Sequence, residues 1–295
     1  MYVLKIRFIS KNLNIIFNQL AVKELLFVHY KCPMTARMWD AKTQYNYLQY
    51  LFSGKKAYHT PGRSWLFKAG DAYFVKRGAC IIEKFFEEPL VILTFFIPDS
   101  YLQAFMRENS LLKTSSGLSQ QNNDLIIPLH VNDIMSGYIE SVMPYFYSEN
   151  KPSENLLELK FREALMTILT DPDNMDLKAW LQQLSNPQYD PFQQIMEANC
   201  LYNLSLEDYA KMLNRSLSSF KRHFVSVYKT SPGQWLQTQK LNNAFKLLLN
   251  TNKPITDISF ESGFENSTHF SHLFKKRFGA SPLTYRKEET SSKIS

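Results

Sequence analysis

Apolar positions in the first third of the chain recur at short, strand-like spacing. Residues 24–30, 45–52, 64–67, 72–76, 79–85 and 90–97 are rich in β-branched and aromatic side chains. Gly54, Pro61-Gly62, Gly70-Asp71, Gly78 and Pro89 punctuate them, and these residue types favour the backbone angles of tight turns. Short strands at such spacing predict a compact β-sandwich or barrel. After residue 98 the period changes. Asp99 is placed to cap a helix over 101–107, 110–123 reads as a polar loop, and 131–147 reads as a helix that Pro144 kinks or ends. A further helix runs over 156–169, with Leu156, Leu157, Phe161, Ala164, Leu165 and Ile168 on one apolar stripe. Ser153 before it makes a poor capping box, because position 156 is Leu rather than Glu or Gln. The stripe needs a partner, either a second copy of the chain or its own β-domain. The helix stops at Asp171-Pro172-Asp173, and the stretch from Asn186-Pro187 to Asp190-Pro191 is the best domain boundary. Everything beyond it reads as helices joined by short turns.

In that helical region a single pattern occurs twice. Leu206, Tyr209, Ala210 and Leu213 fall at i, i+3, i+4 and i+7, one face of a helix, and Ser205 with Asp208 forms a capping-box pattern at its start. Forty-nine residues later Ile255, Ile258, Ser259 and Ser262 hold the same places. A turn residue follows, Asn214 in one copy and Gly263 in the other. Both types tolerate the left-handed backbone that a tight helix–helix turn often requires. One extra residue in the second copy then raises the offset to 50. Ser216 and Asn266 are matching candidate N-caps, and Phe220, Phe224, Tyr228 and Ser231-Pro232 match Phe270, Phe274, Phe278 and Ser281-Pro282. A capped helix, a tight turn and a second capped helix with an aromatic inner stripe make a helix-turn-helix unit. In each copy the second helix begins with small polar residues and continues into cations. Short hydroxyls let a backbone approach a groove, and longer donors reach base edges or phosphates.

Charge strengthens that reading. The chain has 295 residues, 44% hydrophobic and 21% charged, with a formal net charge of +7. From Gln193 onward there are 14 Lys and Arg against 8 Asp and Glu, whereas residues 1–192 hold 20 against 19. A basic domain joined to a near-neutral one points to a polyanionic partner for the basic domain. The longest apolar run, 90–97, is far short of the roughly 20 residues of a membrane span. Lys5, Arg7, Lys11, Asn12 and Asn14 interrupt every apolar run at the N-terminus, so no signal-peptide core is read there. Cys32, Cys80 and Cys200 are scattered and no CxxC occurs, which argues against a disulfide framework or zinc ribbon. The expectation is an intracellular, cytoplasmic protein with no membrane partner.

At 192–287 the sequence resembles the AraC/XylS family of bacterial transcription regulators. The densest stretch is Ile255-Thr-Asp-Ile-Ser-Phe-Glu-Ser-Gly-Phe264, then Phe270-Ser-His-Leu-Phe274-Lys275-Lys276-Arg277-Phe278-Gly279, Ser281-Pro282 and Tyr285-Arg286. The resemblance implies a seven-helix DNA-binding domain whose two helix-turn-helix units are joined by a long helix, here 232–249, with Leu241, Ala244, Phe245 and Leu248 as its core stripe. It carries base contacts onto Ser218, Lys221 and Arg222 in the first reading helix, and onto Ser267, Thr268, Ser271 and His272 in the second. The family often has Arg where this chain has His272, so the base read there is left open. Lys275 is either a phosphate contact or a solvated lysine. His269 and His272 are three apart, but no third ligand lies nearby in sequence, and no metal is assigned.

The N-terminal region resembles the family's cupin-like β-domain less densely. Gly70-Asp71-Ala72-Tyr73-Phe74-Val75 followed by Gly78 resembles its usual hairpin, and Pro98-Asp99-Ser100-Tyr101-Leu102 leads into a helix as in the ExsA subgroup. Tyr45, Tyr47, Tyr50, Phe52, Trp65, Phe67, Tyr73, Phe74, Phe85, Phe86, Phe95 and Phe96 line either a pocket or, as is more usual for such strands, plain core. His29 and His59 supply no cupin metal motif, and neither catalysis nor a cofactor is expected.

The resulting expectation is an α+β chain of two domains: a β-rich sensing or dimerisation domain at 1–150, a helical linker region at 151–190, and a DNA-binding domain at 191–290. Its function would be sequence-specific transcriptional regulation, of the activating kind, through two successive major grooves. The implied partners are double-stranded DNA, RNA polymerase, a second copy of the chain, and a small-molecule or protein effector. A cupin-type enzyme or a protein adaptor with an appended helical domain stays open at this level.

Overall fold

A computed structural model describes residues 17–32, 36–61, 63–109, 124–186 and 188–292. The stretch 110–123 and the turn residues Gly62 and Pro187 lie outside the described residues. The chain divides into two compact units, 1–191 and 192–295.

The first unit is built from ten described strands and five α-helices. The strands are β1 (Phe17–Val22), β2 (Leu25–Lys31), β3 (Met38–Thr43), β4 (Asn46–Ser53), β5 (Lys55–Thr60), β6 (Arg63–Lys68), β7 (Ala72–Val75), β8 (Gly78–Lys84), β9 (Val91–Ile97) and β10 (Ile126–Leu129). One sheet has the order β1-β2-β9-β4-β7-β10 and the other β3-β8-β5-β6. The six strands expected from patterning are present. The four that patterning missed have physical reasons to be quiet: β3 is an exposed edge strand, β5 opens with two lysines, β1 mixes Asn and Gln into its apolar positions, and β10 holds a proline at a sheet edge.

Alternation along the strands sorts side chains between two cores. Leu48, Phe74, Leu93, Phe95 and Ile97 face one core, whereas Tyr47, Leu51, Tyr73, Val75 and Ile92 face the other. The second core lies between the sheets, with Tyr58, Trp65, Phe67, Cys80 and Ile82 supplied by the four-stranded sheet. The first core is covered by α1 (Asp99–Glu108), α2 (Asp133–Val142), α3 (Pro144–Tyr147), α4 (Glu154–Thr170) and α5 (Met175–Leu184). The aromatic series is therefore divided, with Phe86 left exposed.

Several expectations need correction. Gly70 and Gly78 do not flank a hairpin: β7 pairs with β4 and β10, while its neighbours β6 and β8 belong to the other sheet, so the chain crosses between sheets at both turns. Asp99 is the first residue of α1 rather than its cap. Its carboxylate instead accepts from Asn46 Nδ2 at 2.6 Å and pairs with Arg77 at 2.6 Å. Ser153 does cap α4, accepting from Leu156 N at 3.3 Å, because one hydroxyl bond suffices without the reciprocal half of a box. Pro144 ends the helix as expected, standing at the N-terminus of α3. Residues 151–190 fall within the first compact unit. Leu157, Phe161, Ala164, Leu165 and Ile168 of α4 are buried in the sheet–helix core, the larger of them contributing roughly 1.5–3 kcal/mol each. The apolar stripe of α4 therefore packs on its own domain.

The second unit contains α6 (Pro191–Asn199), α7 (Leu206–Met212), α8 (Leu217–Tyr228), α9 (Pro232–Asn250), α10 (Ile255–Glu261), α11 (Ser267–Phe278) and α12 (Pro282–Ser292). No helix among the described residues is long and apolar enough to cross a membrane.

Candidate nucleic-acid interface

The two copies of the sequence pattern fold into the same local structure. The capping box of α7 is complete: Asp208 N donates to Ser205 Oγ at 3.1 Å and Ser205 N to Asp208 Oδ2 at 3.0 Å. Both turns use a left-handed residue, Asn214 at φ 52° and Gly263 at φ 81°. Both close with the same bonds, Arg215 N to Ala210 O at 2.9 Å and Phe264 N to Ser259 O at 3.1 Å. The extra residue of the second copy is therefore Glu265, after the matched turn and before the next cap. Ser216 Oγ accepts from Ser219 N at 3.3 Å, and Asn266 Oδ1 accepts from His269 N at 2.9 Å, so each reading helix is capped as expected.

The aromatic stripes coincide. Phe220–Phe224 and Phe270–Phe274 stand 5.9 and 5.6 Å apart between ring centroids, and Phe224–Tyr228 and Phe274–Phe278 stand 4.6 and 4.5 Å apart. Fully buried Phe192 of α6 packs on Phe220, His223, Phe224 and Tyr228 in the first half. In the second half Leu241, Ala244 and Leu248 of α9 close over Ile258, Phe270 and Phe274. With one face of α8 and α11 held so firmly, the opposite face is presented at a fixed angle.

That opposite face carries the residues named from sequence. Ser218, Lys221 and Arg222 are exposed on α8; Thr268, His272 and Lys275 are exposed on α11, with Ser267 and Ser271 half-buried. Ser271 Oγ donates to Ser267 O at 2.9 Å, which ties its hydroxyl to its own helix. Neither α8 nor α11 contains an acidic residue. Arg277 turns away, donating to Asn242 Oδ1 of α9 at 3.1 Å, so it braces α11.

Two features of this surface carry no sequence signal. Lys240 of α9 donates to Gly263 O at 2.7 Å and to Asn203 Oδ1 at 2.7 Å, fastening the second turn to the segment before α7. Its partial burial pushes the amine below the ordinary lysine value. A groove of about 880 Å³ runs beside it, bounded by Gly233, Leu236 and Gln237 of α9 and by Thr268, His272 and Leu273 of α11.

In the first unit His29 Nδ1 and Tyr147 Oη share a hydrogen bond at 2.9 Å, and His59 lies between Ser64 and Glu83, at 2.8 and 3.1 Å. The one group of three metal-type side chains among the described residues is His130, Asp171 and Asp173. Asp171 Oδ2 accepts from His130 Nδ1 at 2.9 Å and Asn132 Nδ2 at 2.8 Å, and Oδ1 from Asp173 N at 2.9 Å. These bonds satisfy the carboxylate as the start of the helical segment after α4.

Comparison with known proteins covers both units. The family model of the ExsA N-terminal regulatory domain matches residues 46–180, and that of a helix-turn-helix domain matches residues 209–288. The thermoregulatory protein LcrF of Yersinia pestis is 26% identical over 239 residues, 81% of this chain and 88% of its own. The virulence regulon transcriptional activator VirF of Yersinia enterocolitica is 27% identical over 240 residues, with the same shares. The HTH-type transcriptional regulator ExsA of Pseudomonas aeruginosa is 29% identical over 219 residues, 74% of this chain and 77% of its own. These matches favour neither an enzyme nor an adaptor.

Proposed function

The chain belongs to the AraC/XylS family of DNA-binding transcription regulators, and on that footing we propose that α8 and α11 read two successive major grooves of double-stranded DNA. The observation that carries this is the doubled helix-turn-helix whose two outward faces hold every transferred position and no carboxylate. Arg222 is the one guanidinium among those positions and suits a bidentate guanine contact. Ser218, Lys221, Ser267, Thr268, Ser271 and His272 complete the base-facing set, and Lys275 contacts phosphate. The nineteen residues of α9 span about 28 Å, a length suited to grooves about 34 Å apart on one face of the duplex.

The second unit, with the boundary near residue 191, is the DNA-binding domain, and the first is the regulatory one. By analogy with VirF, whose name describes an activator, the chain activates transcription and works with RNA polymerase in the cytoplasm. The regulatory unit responds to a small molecule or a partner protein, or it pairs two copies. Pairing would use outward side chains such as Leu159 and Met166, 62% and 37% exposed on α4, because the inward stripe of that helix is spent on its own core. Tethered copies would raise the effective concentration of the second at a paired site.

The test is selection of bound fragments from random DNA by full-length protein and by a 188–295 fragment. Both should recover one bipartite sequence, with binding that weakens as salt rises. A folded 188–295 fragment without DNA affinity at low salt would remove the assignment. Sedimentation of full-length protein, with binding to single and paired sites, tests the pairing role.

A further inference from the structure

The inter-sheet core of the first unit gathers several hydrogen-bond donors around one amide oxygen, with a positive charge among them. Lys56 of β5 is only 4% exposed. Its ammonium donates to Tyr58 Oη at 2.7 Å and to Gln49 Oε1 at 3.1 Å. That same carbonyl oxygen also receives Tyr58 Oη at 2.9 Å and Tyr73 Oη at 2.6 Å, so three donors crowd an oxygen that offers two lone pairs. Trp65 stands opposite Tyr58 in register, on the same inner face, and is 7% exposed. Its indole N–H finds no acceptor among the described residues. Lys84, also buried, stands directly opposite Lys56 across β5 and β8, and like charges so placed repel.

The groups acting electrostatically on Lys56 are Cys32, Cys80 and Lys84, none of them a carboxylate. Burial lowers its amine to about 8, which still leaves it charged at neutral pH. A buried ammonium ordinarily has an anionic partner. The described side chains around Lys56 supply none, and opposite its hydrogen-bond partner Tyr58 stands a buried indole donor that is unsatisfied.

We propose that this core binds a compact oxyanion, the carboxylate or phosphate group of a small molecule, with Lys56 as its charge partner and the Trp65 indole as a donor. Such an oxygen would relieve Gln49 of its third donor and give Trp65 its acceptor. The inference deepens the reading of the first unit as the regulatory one, and names the chemical class it would sense.

The experiment uses the full-length chain labelled with ¹⁵N. Its four tryptophans give four indole N–H resonances, and Trp65→Phe identifies the relevant one. Orthophosphate and acetate are titrated separately, against chloride at matched ionic strength. The expected result is a saturable shift of the Trp65 resonance with at least one of the two, while Trp180 and Trp235 hold still. Lys56→Gln, which keeps a donor but loses the charge, should weaken that binding by about tenfold or more. No movement up to about 50 mM of either anion, an equal movement with chloride, or unchanged affinity in Lys56→Gln each overturns the site. DNA occupancy of full-length protein against the 188–295 fragment is scored in parallel. A difference there without a Trp65 response removes the anion site alone, and a Trp65 response without that difference removes the regulatory reading alone.

Discussion

Substitution of Gly263 by Ala isolates what the second turn requires. A Cβ at this position would sit 2.2 Å from the carbonyl oxygen of Leu201 and 3.0 Å from Cε of Lys240. Three costs follow. Ala at φ +81° costs about 1 kcal/mol or more in backbone strain. Relieving a clash with a main-chain carbonyl costs about 1–3 kcal/mol as overpacking does, since the carbonyl is not a flexible side-chain end. Moving the turn also disturbs the 2.7 Å bond from Lys240 to Gly263 O, a charge-assisted bond worth roughly 1.5 kcal/mol or more. The sum is at least about 3 kcal/mol even if the terms partly overlap. Asn214→Ala is the internal control: the same left-handed turn in the first copy, where the backbone cost dominates, at about 1 kcal/mol. The assay is urea unfolding of the 188–295 fragment, whose one tryptophan is Trp235, read as a shift in midpoint at constant slope. On DNA, the Gly263 variant should lose protection of one half of its footprint before the other, because α11 depends on that turn. If Gly263→Ala costs no more than Asn214→Ala, the close approach of Leu201 is wrong and the reasoning with it.

Other outcomes are expected on the same grounds. Arg222→Ala should cost about 1–3 kcal/mol at one base-pair position, measured on a panel of single-base site variants; equal weakening on all of them would make Arg222 a phosphate contact. Phe192→Ala should destabilise the second unit by about 3–5 kcal/mol, and a fragment beginning after Phe192 should melt far below one beginning at 188. The His130–Asp171 bond predicts opposed pH limits in the first unit. Asp171 is held below the ordinary carboxylate value by His130 and Asp173 N, so its contribution is complete above about pH 4 and lost as pH falls through the lowered value. His130 is raised by Asp171, so its contribution is complete below about pH 6.5 and lost as pH rises through the raised value. His130→Gln should flatten the upper limb of the stability profile in chemical unfolding, and an unchanged limb would refute the pairing.

Local signals made much of this protein legible before folding was considered. Strand patterning located six strands because each alternates or carries an apolar run bounded by Gly or Pro. The repeat located both helix-turn-helix units because capping and left-handed turns are chemistry of adjacent residues: Ser205 with Asp208, Asn214 and Gly263, Ser216 and Asn266 all act within a few positions of themselves. A periodic stripe such as Phe220, Phe224 and Tyr228 fixes which face is buried, and so which face holds Ser218, Lys221 and Arg222. What lies far apart in sequence had no such signal. The stripe of α4 stated that it needed a partner but not which, and only packing assigned it to the β-sheet core. The Gly70–Gly78 segment looked like a hairpin, yet each turn carries the chain to a different sheet, a choice made by which strands bury its neighbours. Lys240 reads as one more lysine on a helix until its ammonium is seen bridging Gly263 and Asn203, residues 23 and 37 positions away. Lys56 lies in a stretch that patterning did not read as a strand, and its burial shows only once two sheets close over it. Local conformational preference is encoded in neighbouring residues, whereas burial of a charge or the strand that receives a hydrogen bond is set by the whole chain at once.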